Sequence, residues 1–187
     1  IVHHFFTKVI NGIEEVALER GYNVIVGLSN ESFDKEVLNM EMLANGSIDG
    51  FILSISKETL MQQDYHHFQE ILEEGIPIVM FDRIVDEINC DKVVVDDFEG
   101  AKKAVQKLIY GGCRNIAIIT TKDYINVGRL RTRGYLEALN ENKIEPKASL
   151  VLKVDDKLIT EQYLEGIEKD ENKDDLIILT TDIVSSY

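Results

Sequence analysis

The sequence predicts an α/β fold of two doubly wound, parallel-sheet lobes, and three observations lead there. Short apolar runs alternate along the chain with stretches whose apolar residues recur at helical spacing. That alternation implies parallel strands with helices on both faces of each sheet, and right-handed crossovers make each sheet doubly wound. Similar lengths of this pattern lie on either side of residues 92–109, KVVVDDFEGAKKAVQKLI, where one strand feeds one helix. The crossing between lobes is placed there, giving residues 1–96 to the first lobe and 97–187 to the second.

Taken in order, Phe6, Val9, Ile10, Ile13, Val16 and Ala17 form one face of an amphipathic helix, which Arg20-Gly21 ends because glycine tolerates the left-handed C′ position. Residues 23–28, NVIVGL, read as a buried strand. After the polar turn 29–32, a helix carries Val37, Leu38, Met42 and Leu43 and stops near Asn45-Gly46. Residues 48–53 supply the next strand, 65–74 a weaker helix closed by Gly75, and 77–81 a strand that begins on Pro77, where no ladder donor is needed.

Val93, Val94 and Val95 read as a short, fully buried strand. Beyond Asp96-Asp97-Phe98, the helical spacing of Ala101, Ala104, Val105, Leu108 and Ile109 runs to Tyr110 and a Gly111-Gly112 stop. Strand 116–120, helix 127–140, strand 150–154, helix 159–168 and strand 176–179 complete the second half. The first helix has no strand ahead of it and the last strand no full helix behind it, so the fold is expected to be truncated at both ends.

Composition narrows the function. Acidic residues outnumber basic ones by 34 to 20, for a net charge of −14. Phosphate backbones are held through Lys and Arg that displace counterions, so nucleic acid is not a partner of this acidic stretch by itself. No apolar run has the ~20 residues that span a bilayer, and the start carries no signal peptide. Cys90 and Cys113 lack metal-ligand spacing and read as free thiols in a reducing compartment.

In open α/β sheets, ligands gather outside the carboxyl ends of strands. Those positions here are Ser29 and Asn30, residues 54–56, Asp82-Arg83, Asp96-Asp97, residues 120–123 and Thr181-Asp182. Carboxylates, an arginine and hydroxyls in one crevice suit a small polyol, sugar or base. Each position taken singly reads more readily as a helix cap than as a ligand contact, and Asp97 and Asp182 fit that role. The adjacent histidines His3-His4 and His66-His67 point to different faces and make a poor chelate, so neither metal nor cofactor is expected. No nucleophile elbow, phosphate loop or dinucleotide glycine motif is present, so nothing supports an enzyme. Arginines at 129, 131 and 133 sit near a helix start, against the macrodipole, and so call for a reason other than helix stability.

The segments FFTKVINGIEEVALERGYNVIVGLSN, SIDGFIL, PIVMFDR, VVVDDFEGAKKAVQKLIYGGCRNIAII, RLRTRGYLEALNENKI and LIILTTD together resemble the effector-binding core of the lactose/galactose repressor family, which shares a periplasmic-binding-protein-like, type I fold. The resemblance implies two lobes joined by crossing strands that close on a small-molecule effector, a symmetric homodimer with a face near residues 33–45, and operator DNA bound only through an N-terminal helix-turn-helix domain missing from this chain. It implies ligand contacts from the aromatic pair Phe5 and Phe6, from Ser54 and Ser56, from Asp82 and Arg83, from Arg131, and from Asp182 in Thr181-Asp182, where the family has Asn-Asp. Val127 replaces a common hydroxyl residue, and Cys113 the histidine of the usual Gly-His-Arg turn. On this reading the Val93-Val94-Val95 strand is a hinge element, Asp97 the cap at the crossing and Asp96 a cleft-edge carboxylate. The expected protein is a cytoplasmic, effector-responsive transcriptional regulator. The alternative is a periplasmic or lipoprotein sugar-binding protein of an uptake transporter.

Overall fold

The computed structural model describes residues 4–46, 48–154 and 176–180. The first half contributes helices α1 (His4–Glu19), α2 (Phe33–Ala44), α3 (Lys57–Gln62) and α4 (His66–Glu73) and strands β1 (Phe51–Leu53), β2 (Ile78–Phe81) and β3 (Asp91–Val93). The second contributes α5 (Asp97–Tyr110), β4 (Asn115–Thr120), α6 (Asn126–Glu141), a 3-10 turn at Ala148–Leu150, β5 (Val151–Lys153) and β6 (Leu176–Thr180). All strand pairs are parallel, in two sheets ordered β1-β2-β3 and β5-β4-β6. The expected α/β architecture of two parallel sheets is the one observed. The expected helix 159–168 lies outside the described residues.

Each sheet has its own core. Met40, Ile55, Phe68, Met80 and Ile88 pack in the first half, and Val105, Ile109, Ile116, Ile118, Tyr135 and Leu139 in the second. Ile125 and Val127 come from the second half but pack in the first core. The most extensive helix–helix contact among the described residues is α5 on α6. Gly134 permits it: a Cβ there would land inside contact distance of the Phe98 carbonyl oxygen. Tyr135, fully buried beside it, donates its hydroxyl to the Ile116 carbonyl at 2.8 Å, and burial pushes its phenol pKa up.

Three expectations need correction. Residues 23–28 form no strand: β1 pairs on one edge with β2, and no described strand lies on its other edge to give 23–28 a ladder. Val24, Ile25, Val26 and Leu28 are accordingly exposed. The valine run is likewise not a buried strand. Pairing ends at Val93, β3 is an edge strand, and Val93, Val94 and Val95 are all more than half exposed. Finally, Asp96 rather than Asp97 caps α5, accepting from the Glu99 N–H at 2.9 Å. Helix α3 was not foreseen. Its start is set by Ser56, whose Oγ accepts from the Thr59 N–H at 3.2 Å.

Candidate functional site

The order β5-β4-β6 places β4 centrally, with its neighbours entering from opposite sides, so the carboxyl end of β4 is the topological switch point of that sheet. Thr120 and Thr121 stand there, and their Oγ1 atoms are buried without a hydrogen-bond partner among the described residues. Ser54, just past β1 in the first sheet, has its Oγ in the same condition. A buried hydroxyl without a partner is costly, and these three lie at the strand ends where ligands of open α/β sheets gather.

The other strand ends of the first sheet are tied together. Asp82 follows β2 in the left-handed region, with φ +60°, and its N–H donates to the Val93 carbonyl at 3.2 Å. The Arg83 guanidinium donates to Glu31 Oε2 at 2.6 Å, so its ion-pair partner is Glu31 rather than the adjacent Asp82. The same Glu31 oxygen accepts from the Lys57 N–H at 2.8 Å, which fastens the start of α3 to Arg83. Ile55 N–H reaches the Arg83 carbonyl at 3.4 Å, bringing residues 54–56 beside Arg83.

Ser56 is fully engaged. Its N–H donates to Glu36 Oε2 at 2.7 Å, and its Oγ bonds Thr59 Oγ1 at 2.7 Å. Glu36, buried on α2, also accepts from Thr59 Oγ1 at 2.6 Å and meets His67 Nε2 at 3.1 Å. His66 turns instead to Asp64, at 2.7 Å, so the two adjacent histidines serve different carboxylates. In the first turn of α1, Phe5 and Phe6 stack edge to face at 5.2 Å between centroids. Phe6 also meets Phe81, the residue before Asp82, at 6.0 Å.

Arg131 stands on α6 and Asp97 on α5, with Arg131 Nε 2.7 Å from Asp97 Oδ1. Arg133, on the same helix, lies over the Phe98 ring at 5.8 Å from its centroid. The arginine cluster therefore has a use besides helix stability: two of its members grip the first turn of α5. Asp182 lies outside the described residues. Of the candidates, Phe6, Ser54, Ser56, Asp82 and Arg83 gather at the carboxyl ends of β1 and β2. Asn126, the first residue of α6, joins them to the helix that carries Arg131, donating to the Asp82 carbonyl at 3.0 Å and accepting from the Ile84 N–H at 3.2 Å.

Sequence reading placed Thr120 and Thr121 among the strand-end positions without choosing them as site residues, and did not single out Glu31 or Asn126. Position after a strand or before a helix marked all of them, but only partner geometry separates them from ordinary caps.

The family of periplasmic binding proteins and the sugar binding domain of the LacI family matches residues 2–164. Catabolite control protein A of Priestia megaterium is 27% identical over 183 residues, covering 95% of this chain and 53% of that protein. The ribose operon repressor of Haemophilus influenzae is 30% identical over 140 residues, covering 75% of this chain and 40% of that protein. The chain thus spans about half the length of the curated relatives it matches. The Cra transcriptional dual regulator from Pseudomonas putida, solved in complex with fructose 1-phosphate, has a TM-score of 0.80 at 17% identity, covering 99% of this chain and 67% of that one. At that identity the likeness is one of fold.

Proposed function

The chain belongs to the family of periplasmic binding proteins and LacI-type sugar-binding domains, and from that premise we propose that it is the effector-sensing core of a bacterial-type DNA-binding transcriptional regulator. It takes a small polar ligand, a sugar or sugar derivative, between lobes 1–96 and 97–187, and the bound state modulates operator binding. The DNA contact belongs to a helix-turn-helix domain outside residues 1–187. A net charge of −14 supports that division of labour.

One observation carries the reading. Ser54, Thr120 and Thr121 hold buried hydroxyl oxygens, without partners among the described residues, at the carboxyl ends of strands in both sheets, the end at which open α/β sheets gather their ligands. Phe5 and Phe6 supply an apolar face, Asp82 and Arg83 polar groups on one side, and Arg131 a donor from α6. Ser56 contributes through the loop it braces. Val127 at the start of α6 carries no hydroxyl and is buried in the first core, so that position gives the ligand no polar contact.

The working unit is a cytoplasmic homodimer. Leu38 and Met42, exposed on α2, support that helix as the face. No helix among the described residues is long and apolar enough to cross a membrane. The protein binds its effector without transforming it. Calorimetric titration with neutral sugars, sugar phosphates, sugar acids and purines tests the proposal: one class is expected to bind and be recovered unchanged. Binding by none of them, or conversion of the bound compound, would contradict it.

A further inference from the structure

We propose that Asn126 is a positioning residue for this cleft, a single side chain that clamps the turn bearing Asp82 and Arg83 to the start of α6. The proposal rests on the effector reading above for its purpose, but its geometry stands on separate observations. Asn126 is buried, at 8% exposure, and both ends of its amide are used. Nδ2 donates to the Asp82 carbonyl at 3.0 Å and Oδ1 accepts from the Ile84 N–H at 3.2 Å. A carbonyl can only accept and an N–H can only donate, so the orientation of the amide is fixed by its partners. The two groups it holds flank Arg83.

The clamp acts on a backbone that needs one. Asp82 has φ +60°, which a residue with a Cβ adopts unwillingly. Its N–H is held by Val93 and its carbonyl by Asn126, so both peptide groups around the left-handed residue are fastened. On either side of Asn126, Ile125 and Val127 are buried in the first core with Met80, Val85 and Ile88. Apolar anchors thus set the depth of α6 against the first half, and the amide sets its register. Five residues along the same helix, Arg131 is held to Asp97. The spacing between the polar groups at Asp82 and Arg83 and the guanidinium of Arg131 is therefore fixed through Asn126, and a ligand spanning the halves meets it ready-made.

Amide hydrogen exchange of the 187-residue chain, followed by NMR without ligand, tests this. Asn126→Ala is expected to speed exchange of the Ile84 amide by about ten-fold or more while Ile118 in β4 keeps its protection. Adding Asp82→Gly, which accepts the left-handed conformation freely, is expected to restore part of the Ile84 protection. If Asn126→Ala does not fold, Asn126→Leu carries the same test, since it keeps the size of the side chain and has neither the acceptor for Ile84 nor the donor to Asp82. Faster Ile84 exchange is expected there too. Ile84 exchange within about two-fold of wild type in a folded variant, or equal loss of protection at Ile118, would overturn the proposal. Because no ligand is present, failure of the chain to bind any sugar would sink the effector reading alone.

Discussion

Arg131 Nε stands 2.7 Å from Asp97 Oδ1, and the carboxylate of this pair is almost wholly buried between α5 and α6. The neighbouring Asp96 is exposed and spends its carboxylate on the Glu99 N–H. Two adjacent aspartates therefore do different work, and substitution separates them. Asp97→Ala is expected to destabilise the fold by about 2–3 kcal/mol, the scale of a lost charged hydrogen bond with its partner left half-buried. Asp96→Ala is expected to cost about 1 kcal/mol, as a lost N-cap does. Urea denaturation measures both, and equal costs would refute the assignment.

Glu36 is the hub of the first half, taking the Ser56 N–H, the Thr59 hydroxyl and His67 Nε2 on one buried carboxylate. Glu36→Ala leaves all three without that acceptor and is expected to cost about 3 kcal/mol or more. Thermal unfolding checks the size. A loss below about 1 kcal/mol would mean that water replaces the carboxylate and that the loop 54–56 is not held by it.

Gly134 lets α6 approach α5 at the Phe98 carbonyl and the Lys102 N–H. Gly134→Ala puts a methyl group into backbone that cannot yield locally, and about 3 kcal/mol of destabilisation is expected. The chemically identical Gly12→Ala, on α1 with open space around it, is expected to be neutral or slightly stabilising. Similar melting temperatures for the two variants would contradict the close approach.

His66 and Asp64 give a pH signature. The hydrogen bond from His66 to Asp64 raises the imidazole pKa and lowers that of the carboxyl. The raised histidine contributes stability that is complete below its ordinary value of 6.5 and fades as pH climbs through the folded value. The lowered aspartate contributes above its ordinary value of 3.8 and fades as pH falls through the folded one. The pair is therefore strongest between those limits, and weak throughout because both groups are half-exposed. NMR titration of His66 in Asp64→Asn should show its midpoint fall towards 6.5. An unchanged midpoint would assign the shift elsewhere.

Much of this was legible in the sequence because it followed from periodicity and punctuation. Helix α5 ends where Gly111-Gly112 said it would, with Gly112 at φ +99°, and β2 follows Pro77 directly. The valines at 93–95 misled because apolar composition measures a wish for burial, and burial requires an element packed over the face to which a side chain points, which these valines lack among the described residues. Residues 23–28 failed for the same reason. At the site, the Phe5-Phe6 pair and Asp82-Arg83 were visible as motifs, yet the partners that organise them were not. Glu31 lies 52 positions from Arg83, and Asn126 lies 44 from Asp82. No local spacing encodes such pairings. They exist because β2 and its neighbours bring those strand ends together.

The central claim is that this chain senses a small polar effector through groups held at the ends of its two sheets, with Arg131 among them. Parallel calorimetric titrations of the wild-type chain and of Arg131→Ala, with the sugar class that wild type binds, test it most directly. The account predicts measurable binding by wild type and a loss of about 1.5–3 kcal/mol in the variant, the worth of a charged hydrogen bond in a desolvated cleft. Equal dissociation constants for the two proteins would remove Arg131 from the site, and no binding by wild type to any sugar, sugar phosphate, sugar acid or purine would contradict the account itself.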